Sequence, residues 1–136
     1  ISSYQNPAGS VTQTPRILYI TGVRVQGAVT TALTGGPVIY AYSLAYGHTA
    51  VSMATVDTAS FATATTKAPR RIPLGFETYA AAAAVGVLGS AGIFMPFASP
   101  IPVNPGEFIA ICAKNMGTVT TLGVITVLVS FDGYYE

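Results

Sequence analysis

Residues Arg16–Val25 read RILYITGVRV, and residues Val38–Tyr46 read VIYAYSLAY. Both runs are dense in β-branched and aromatic side chains, and the turn signal Thr34-Gly35-Gly36-Pro37 lies between them. In the second run, alternation puts Tyr40 and Tyr42 on one face and Ile39 and Ala41 on the other. A period of two in successive runs predicts strands. Arg71–Tyr79, with Leu74 and Phe76, continues the pattern. Ile93–Phe97 is a short apolar strand after a Gly-rich turn, and Glu107–Lys114 (EFIAICAK) is another, introduced by Asn104-Pro105-Gly106. Leu122–Asp132 (LGVITVLVSFD) is almost continuous in Val, Ile and Leu, which is the composition of a strand buried on both faces or at a sheet centre.

Several short strands spaced by Gly/Pro turns, without helical periodicity, predict an all-β domain. Two further strands would make eight, the number that suits a β-sandwich of jelly-roll type. Thr49–Thr66 is rich in Ala, Thr and Ser and reads as one irregular strand and a loop. Tyr79–Ala84 holds five alanines, and local propensity favours a helical turn there. Gly86, Gly89 and Gly92, with Val85 and Val87, favour strand plus loop instead. Residues 1–15 are polar, contain Asn6-Pro7, Gly9 and Pro15, and read as an extended N-terminal arm to a single domain at 16–136. Such an arm either reaches a neighbouring subunit or frays. A start at Ile1 rather than Met fits a trimmed or mature chain.

The 136 residues suit one domain with its own core. Hydrophobic residues make up 51% and charged residues 8%, against about 25% charged in an ordinary soluble domain. Much of the surface must therefore be small and uncharged. A free monomer with such a surface tends to associate, so neighbours are expected to cover it. Net charge is +1, with six basic and five acidic residues, and there is no basic stripe for nucleic acid. Glycines and prolines interrupt the uncharged stretches, so no membrane-spanning helix is expected. Cys112 is the single cysteine and lies in an apolar run, which fits a buried inert thiol or, less simply, a reactive or intermolecular one.

Chemistry-bearing residues are sparse. His48, the one histidine, lies in Gly47-His48-Thr49 and reads as a turn residue without a nucleophile-elbow pattern. One His and one Cys do not make a zinc site. The acids Asp57, Glu77, Glu107, Asp132 and Glu136 are scattered, with no calcium-loop spacing. Glu77 and Glu107 are the carboxylates whose convergence a glycosidase would need. No catalytic, cofactor-binding or metal-binding residue is expected. Lys67, Arg70 and Arg71 cluster around Pro69, as a solvated loop, as partners of Glu77, Glu107 or another subunit's carboxylate, or, with no interleaved aromatics to favour it, as a nucleic-acid contact. Tyr4, Tyr134 and Tyr135 lie near the termini. A tyrosine buries a ring while its hydroxyl stays wet, which suits interfaces, ordinary packing or, as in lectins, sugar stacking. The expected intersubunit contacts are Tyr4, Lys67, Arg70, Arg71, Glu77, Glu107, Tyr134 and Tyr135.

Thr14–Gly22 (TPRILYITG), Ser43–Met53 (SLAYGHTAVSM), Lys67–Gly75 (KAPRRIPLG), Pro102–Ile111 (PVNPGEFIAI) and Val129–Glu136 (VSFDGYYE) are similar to segments of small structural proteins from environmental tailed phages. The Asn-Pro-Gly-Glu turn before an apolar strand also resembles jelly-roll proteins generally. The first resemblance implies a virion component, such as a capsid decoration protein on the virion surface, bound to the major capsid protein or another virion protein. It carries no active-site residue. With the composition, it leads to a non-enzymatic homo-oligomer, a trimer being favoured. An extracellular filament or pilus-type subunit, and a carbohydrate- or receptor-binding module, are the alternatives.

Overall fold

In a computed structural model, all residues are described except 1, 50–69, 91 and 118–121, and except the side chains of Ser2, His48, Arg70 and Leu122. Seven strands are described: β1 (Ser2–Gln5), β2 (Leu18–Thr34), β3 (Val38–His48), β4 (Arg70–Tyr79), β5 (Ile93–Val103), β6 (Phe108–Asn115) and β7 (Leu122–Tyr135). They form two antiparallel sheets, ordered β1-β6-β3-β4 and β5-β2-β7. The described residues contain no helix. The predicted Thr49–Thr66 strand and loop lie almost wholly outside the described residues.

Alternating side chains from the two sheets meet in one core. β2 supplies Leu18, Ile20, Val23 and Val25, β3 supplies Tyr42 and Leu44, and β6 supplies Ile109 and Ile111. Leu74, Ile101 and Val103 complete it from β4 and β5. The period-two reading of β3 holds: Tyr42 and Leu44 are buried inward, while Ala41 and Ser43 take the other face. A second cluster, Val29, Leu33, Val38, Tyr79 and Ala83, closes the end where residues 80–90 cross. There the chain after β4 forms strand-like contacts rather than a helix. Its backbone bonds β2 through Val87 O, Gly86 N, Ala83 O and Gly89 N. A helical turn over the alanines would forfeit these pairings.

Three expectations need correction. Leu122–Asp132 reads as a central strand, yet β7 pairs with β2 alone and forms a sheet edge. β2 takes the centre instead: Leu18–Val25 pair with β5 along one edge and with β7 along the other. His48 is the last residue of β3 rather than part of a turn. The N-terminal arm is not loose throughout its length. Ser2–Gln5 adds to the edge of β6 within the same chain. Beyond it the buried Asn6 donates from Nδ2 to Arg16 O at 2.8 Å and to Val103 O at 2.7 Å. Its backbone N–H donates to Glu107 O, and its carbonyl accepts from Gly106. An asparagine that satisfies four backbone groups is a reason to hold this segment in place.

Candidate interaction surface

β7 and β2 run side by side over most of their length, so their outward residues form one surface. Gln26 lies opposite Leu128, Arg24 opposite Ser130 and Ala28 opposite Thr126. On the other side of β2, Arg24 lies opposite Phe94 of β5. The outward face of β5-β2-β7 thus carries Phe94 at 56%, Leu128 at 74% and Val124 at 51% exposure. A shallow depression of about 310 Å³ lies among Arg24, Gln26, Phe94, Leu128 and Ser130.

Charge on this face is largely satisfied within it. The Arg24 guanidinium lies 4.4 Å over the Phe94 ring, and its Nε donates to Asp132 Oδ2 at 3.3 Å. This is a cation–π contact and an exposed ion pair, each worth under about 1 kcal/mol. Thr30 and Thr126 hydroxyls lie 3.0 Å apart. Further along the face, Tyr134 stacks on Tyr19, with ring centroids 5.4 Å apart.

Where β1 overhangs β7, the two sheets leave an apolar cleft of about 310 Å³, lined by Tyr4, Leu18, Ile20, Phe131, Gly133 and Tyr135. The Tyr4 and Tyr135 hydroxyls bond to each other across its mouth. That bond, and then partial burial, raises the pKa of Tyr135 above the ordinary phenol value.

The structure therefore brings Tyr4, Tyr134 and Tyr135 to the β1/β7 end of the molecule. The charged residues do not join them. Lys67 lies outside the described residues. Arg70 opens β4 opposite Tyr46, and Arg71, half-buried, donates from Nη1 to Ser43 Oγ at 3.2 Å. Glu107 closes its own turn, with Oε2 accepting from Asn104 N at 2.9 Å and from Asn104 Nδ2 at 3.1 Å.

Glu77 departs furthest from expectation. It is not on the surface but fully buried. A register shift between Tyr42 and Ser43 of β3 explains the inversion: Tyr42 lies opposite Gly75 and Ser43 opposite Pro73, which leaves Leu74 as an extra residue. One extra residue exchanges the faces beyond it. Phe76 turns outward at 64% exposure, and Glu77 turns into the core. There Oε1 accepts the Gly27 N–H at 3.1 Å and the Gln26 Nε2 at 3.5 Å, and Oε2 accepts the Tyr42 O–H at 2.9 Å. The Tyr79 hydroxyl lies nearby but makes no hydrogen bond of good geometry among the described residues. No ion pair reaches Glu77 among them. Glu77 sits opposite Tyr40, and Glu107 lies beyond the Phe108–His48 pair, so the two carboxylates are roughly 25 Å apart along β3. They do not form a catalytic pair.

Burial first, and then the adjacent carboxylate, push the pKa values of Tyr42 and Tyr79 well above the ordinary phenol value. A proton held more tightly in the fold contributes stability that is complete below the unfolded-state value of about 10. It is lost as pH rises beyond that value toward the folded ones. Each of the two phenols is expected to remove about 1.4 kcal/mol per pH unit in that window. Ultraviolet titration with circular dichroism checks this. Two phenols should resist ionisation until the strands are lost, and full ionisation of an intact fold would contradict it.

Among the described residues no three His, Cys, Asp or Glu side chains group as metal ligands, and no helix is long and apolar enough to cross a membrane. No protein-family model, curated protein or solved structure matches the chain.

Proposed function

We propose that this chain is a non-enzymatic structural protein of a virion, a capsid decoration or surface subunit that associates with itself and binds the particle. In this reading the two sheets form a β-sandwich of jelly-roll type. The observation that carries the proposal is the outward face of β5-β2-β7. Phe94, Leu128 and Val124 stand exposed there around one internally paired Arg24–Asp132 couple. An apolar face without free charge loses little on desolvation and gains about 25 cal/mol for each Å² of apolar surface covered, before ordering costs. A shell protein of the same particle is the occupant this face suits. No charged residue is required at the contact, in line with a chain that is 8% charged.

Electron microscopy of the native assembly tests this reading. A closed shell bearing the subunit on its exterior is the expected result. An open helical array of subunits would replace it with the filament reading, and isolation as a lone molecule attached to nothing would overturn both.

A further inference from the structure

We infer that the free edge of β7 is a pairing surface for β7 of a second copy of this chain, the two strands running antiparallel about a two-fold axis. This rests on the proposed self-association and names its surface.

The four sheet edges are unequal. β5 carries Pro96, Pro100 and Pro102, which remove backbone donors. β4 carries Pro73 and begins with Arg70-Arg71. β1 is four residues long. Prolines, charges and short length are the means by which proteins keep edges from pairing. β7 has none of them: it is 14 residues long, lacks proline, and has Asp132 as its one charge, already paired with Arg24. Its backbone bonds run to β2, and none reaches its far side among the described residues.

Composition points the same way. LGVITVLVSF is an interior sequence on an edge strand. Its inward residues Val127, Val129 and Phe131 are only partly buried, whereas Val23 and Val25 on the neighbouring β2 are fully buried. A strand added outside β7 would make it interior and complete that burial. A second β7 fits, because like meets like without charge repulsion. A perpendicular two-fold axis through Leu128, near the strand's midpoint, sets Leu128 against its own copy and Val127 against Val129. Thr126 then faces Ser130. These central pairs are apolar with apolar or hydroxyl with hydroxyl, and further out Val124 meets Asp132, the carboxylate already paired with Arg24. The result is a six-stranded sheet that keeps both outward faces on the same side. A two-fold contact closes at two copies, so a cyclic trimer would need a different surface.

Size sets the expected strength. An edge about 47 Å long and about 10 Å deep presents on the order of 470 Å², against about 800 Å² per partner in a standard interface. The pair should therefore dissociate on dilution through the micromolar range.

Leu128→Lys and Leu128→Glu test the inference on the full chain by sedimentation equilibrium. Leu128 is exposed, so both variants should keep the wild-type circular dichroism. Each sets like charges face to face in the pair, and each is expected to weaken dimerisation on the order of a hundredfold. An equimolar mixture should restore the dimer as a heterodimer. Either variant pairing like the wild type, or a mixture that stays monomeric, overturns the β7 contact while leaving self-association through another surface standing. A wild type that never associates overturns both.

Discussion

Replacing Glu77 with alanine is expected to cost about 3 kcal/mol of folding stability, read as an earlier midpoint in urea with an unchanged slope. The carboxylate is fully buried and accepts from Gly27 N–H, Tyr42 O–H and Gln26 Nε2. Because Gly27 belongs to β2 and Tyr42 to β3, the side chain ties the two sheets together. Truncation leaves buried donors facing a void, and each unmet donor costs roughly 1–3 kcal/mol. Glu77→Gln keeps the volume and one acceptor, and should lose only about 1 kcal/mol. Equal stability of Glu77→Ala and the wild type would show that the carboxylate is a burden rather than a tie.

Gly27→Val is the second substitution with a large expected effect, again about 3 kcal/mol. Gly27 sits at an inward position of the central strand, where the core would ordinarily hold a valine. A Cβ built there falls on the Tyr79 hydroxyl and within 2.7 Å of Glu77 Oε2. Tyr79 is packed in its own cluster, and Glu77 is fixed by its hydrogen bonds, so neither can withdraw cheaply. Gly89 closes the cage from the other side, because a Cβ there would fall on the same carboxylate. Ala28→Val, one residue along on the outward face, should change stability by less than about 0.5 kcal/mol. Comparable losses at both positions would remove the steric explanation.

These two residues also mark where sequence reading ends. Strand positions were legible because side-chain alternation survives in β3 and in the inward half of β2. The residues that pair as β6 were announced by Asn104-Pro105-Gly106 and an apolar run. Which strand lies at a sheet centre was not legible. Interior composition records what covers a strand, and a neighbouring molecule covers it as well as a neighbouring strand does. The place of Glu77 was hidden by the extra residue at Leu74, which nothing but the adjacent Gly75 hints at. Gly75 has a positive φ of 133°, a conformation that glycine adopts readily. Gly27 and Gly89, far apart in sequence, acquire their meaning only when both meet one carboxylate. β1 escaped notice because four polar residues, SSYQ, carry no period.

The terminal tyrosines were legible as a group, since Tyr4, Tyr134 and Tyr135 do gather at one end. The proposed edge contact lies beside them. Tyr4 and Tyr135 roof the cleft over Phe131, so an added strand on β7 would extend the cover over this half-exposed part of the core.

Multi-angle light scattering of the full chain across a dilution series, from millimolar to below micromolar, bears most directly on whether a charge-poor flank makes this molecule associate. Mass falling smoothly from dimer to monomer on dilution is the predicted result. A single monomeric mass at every concentration would contradict it.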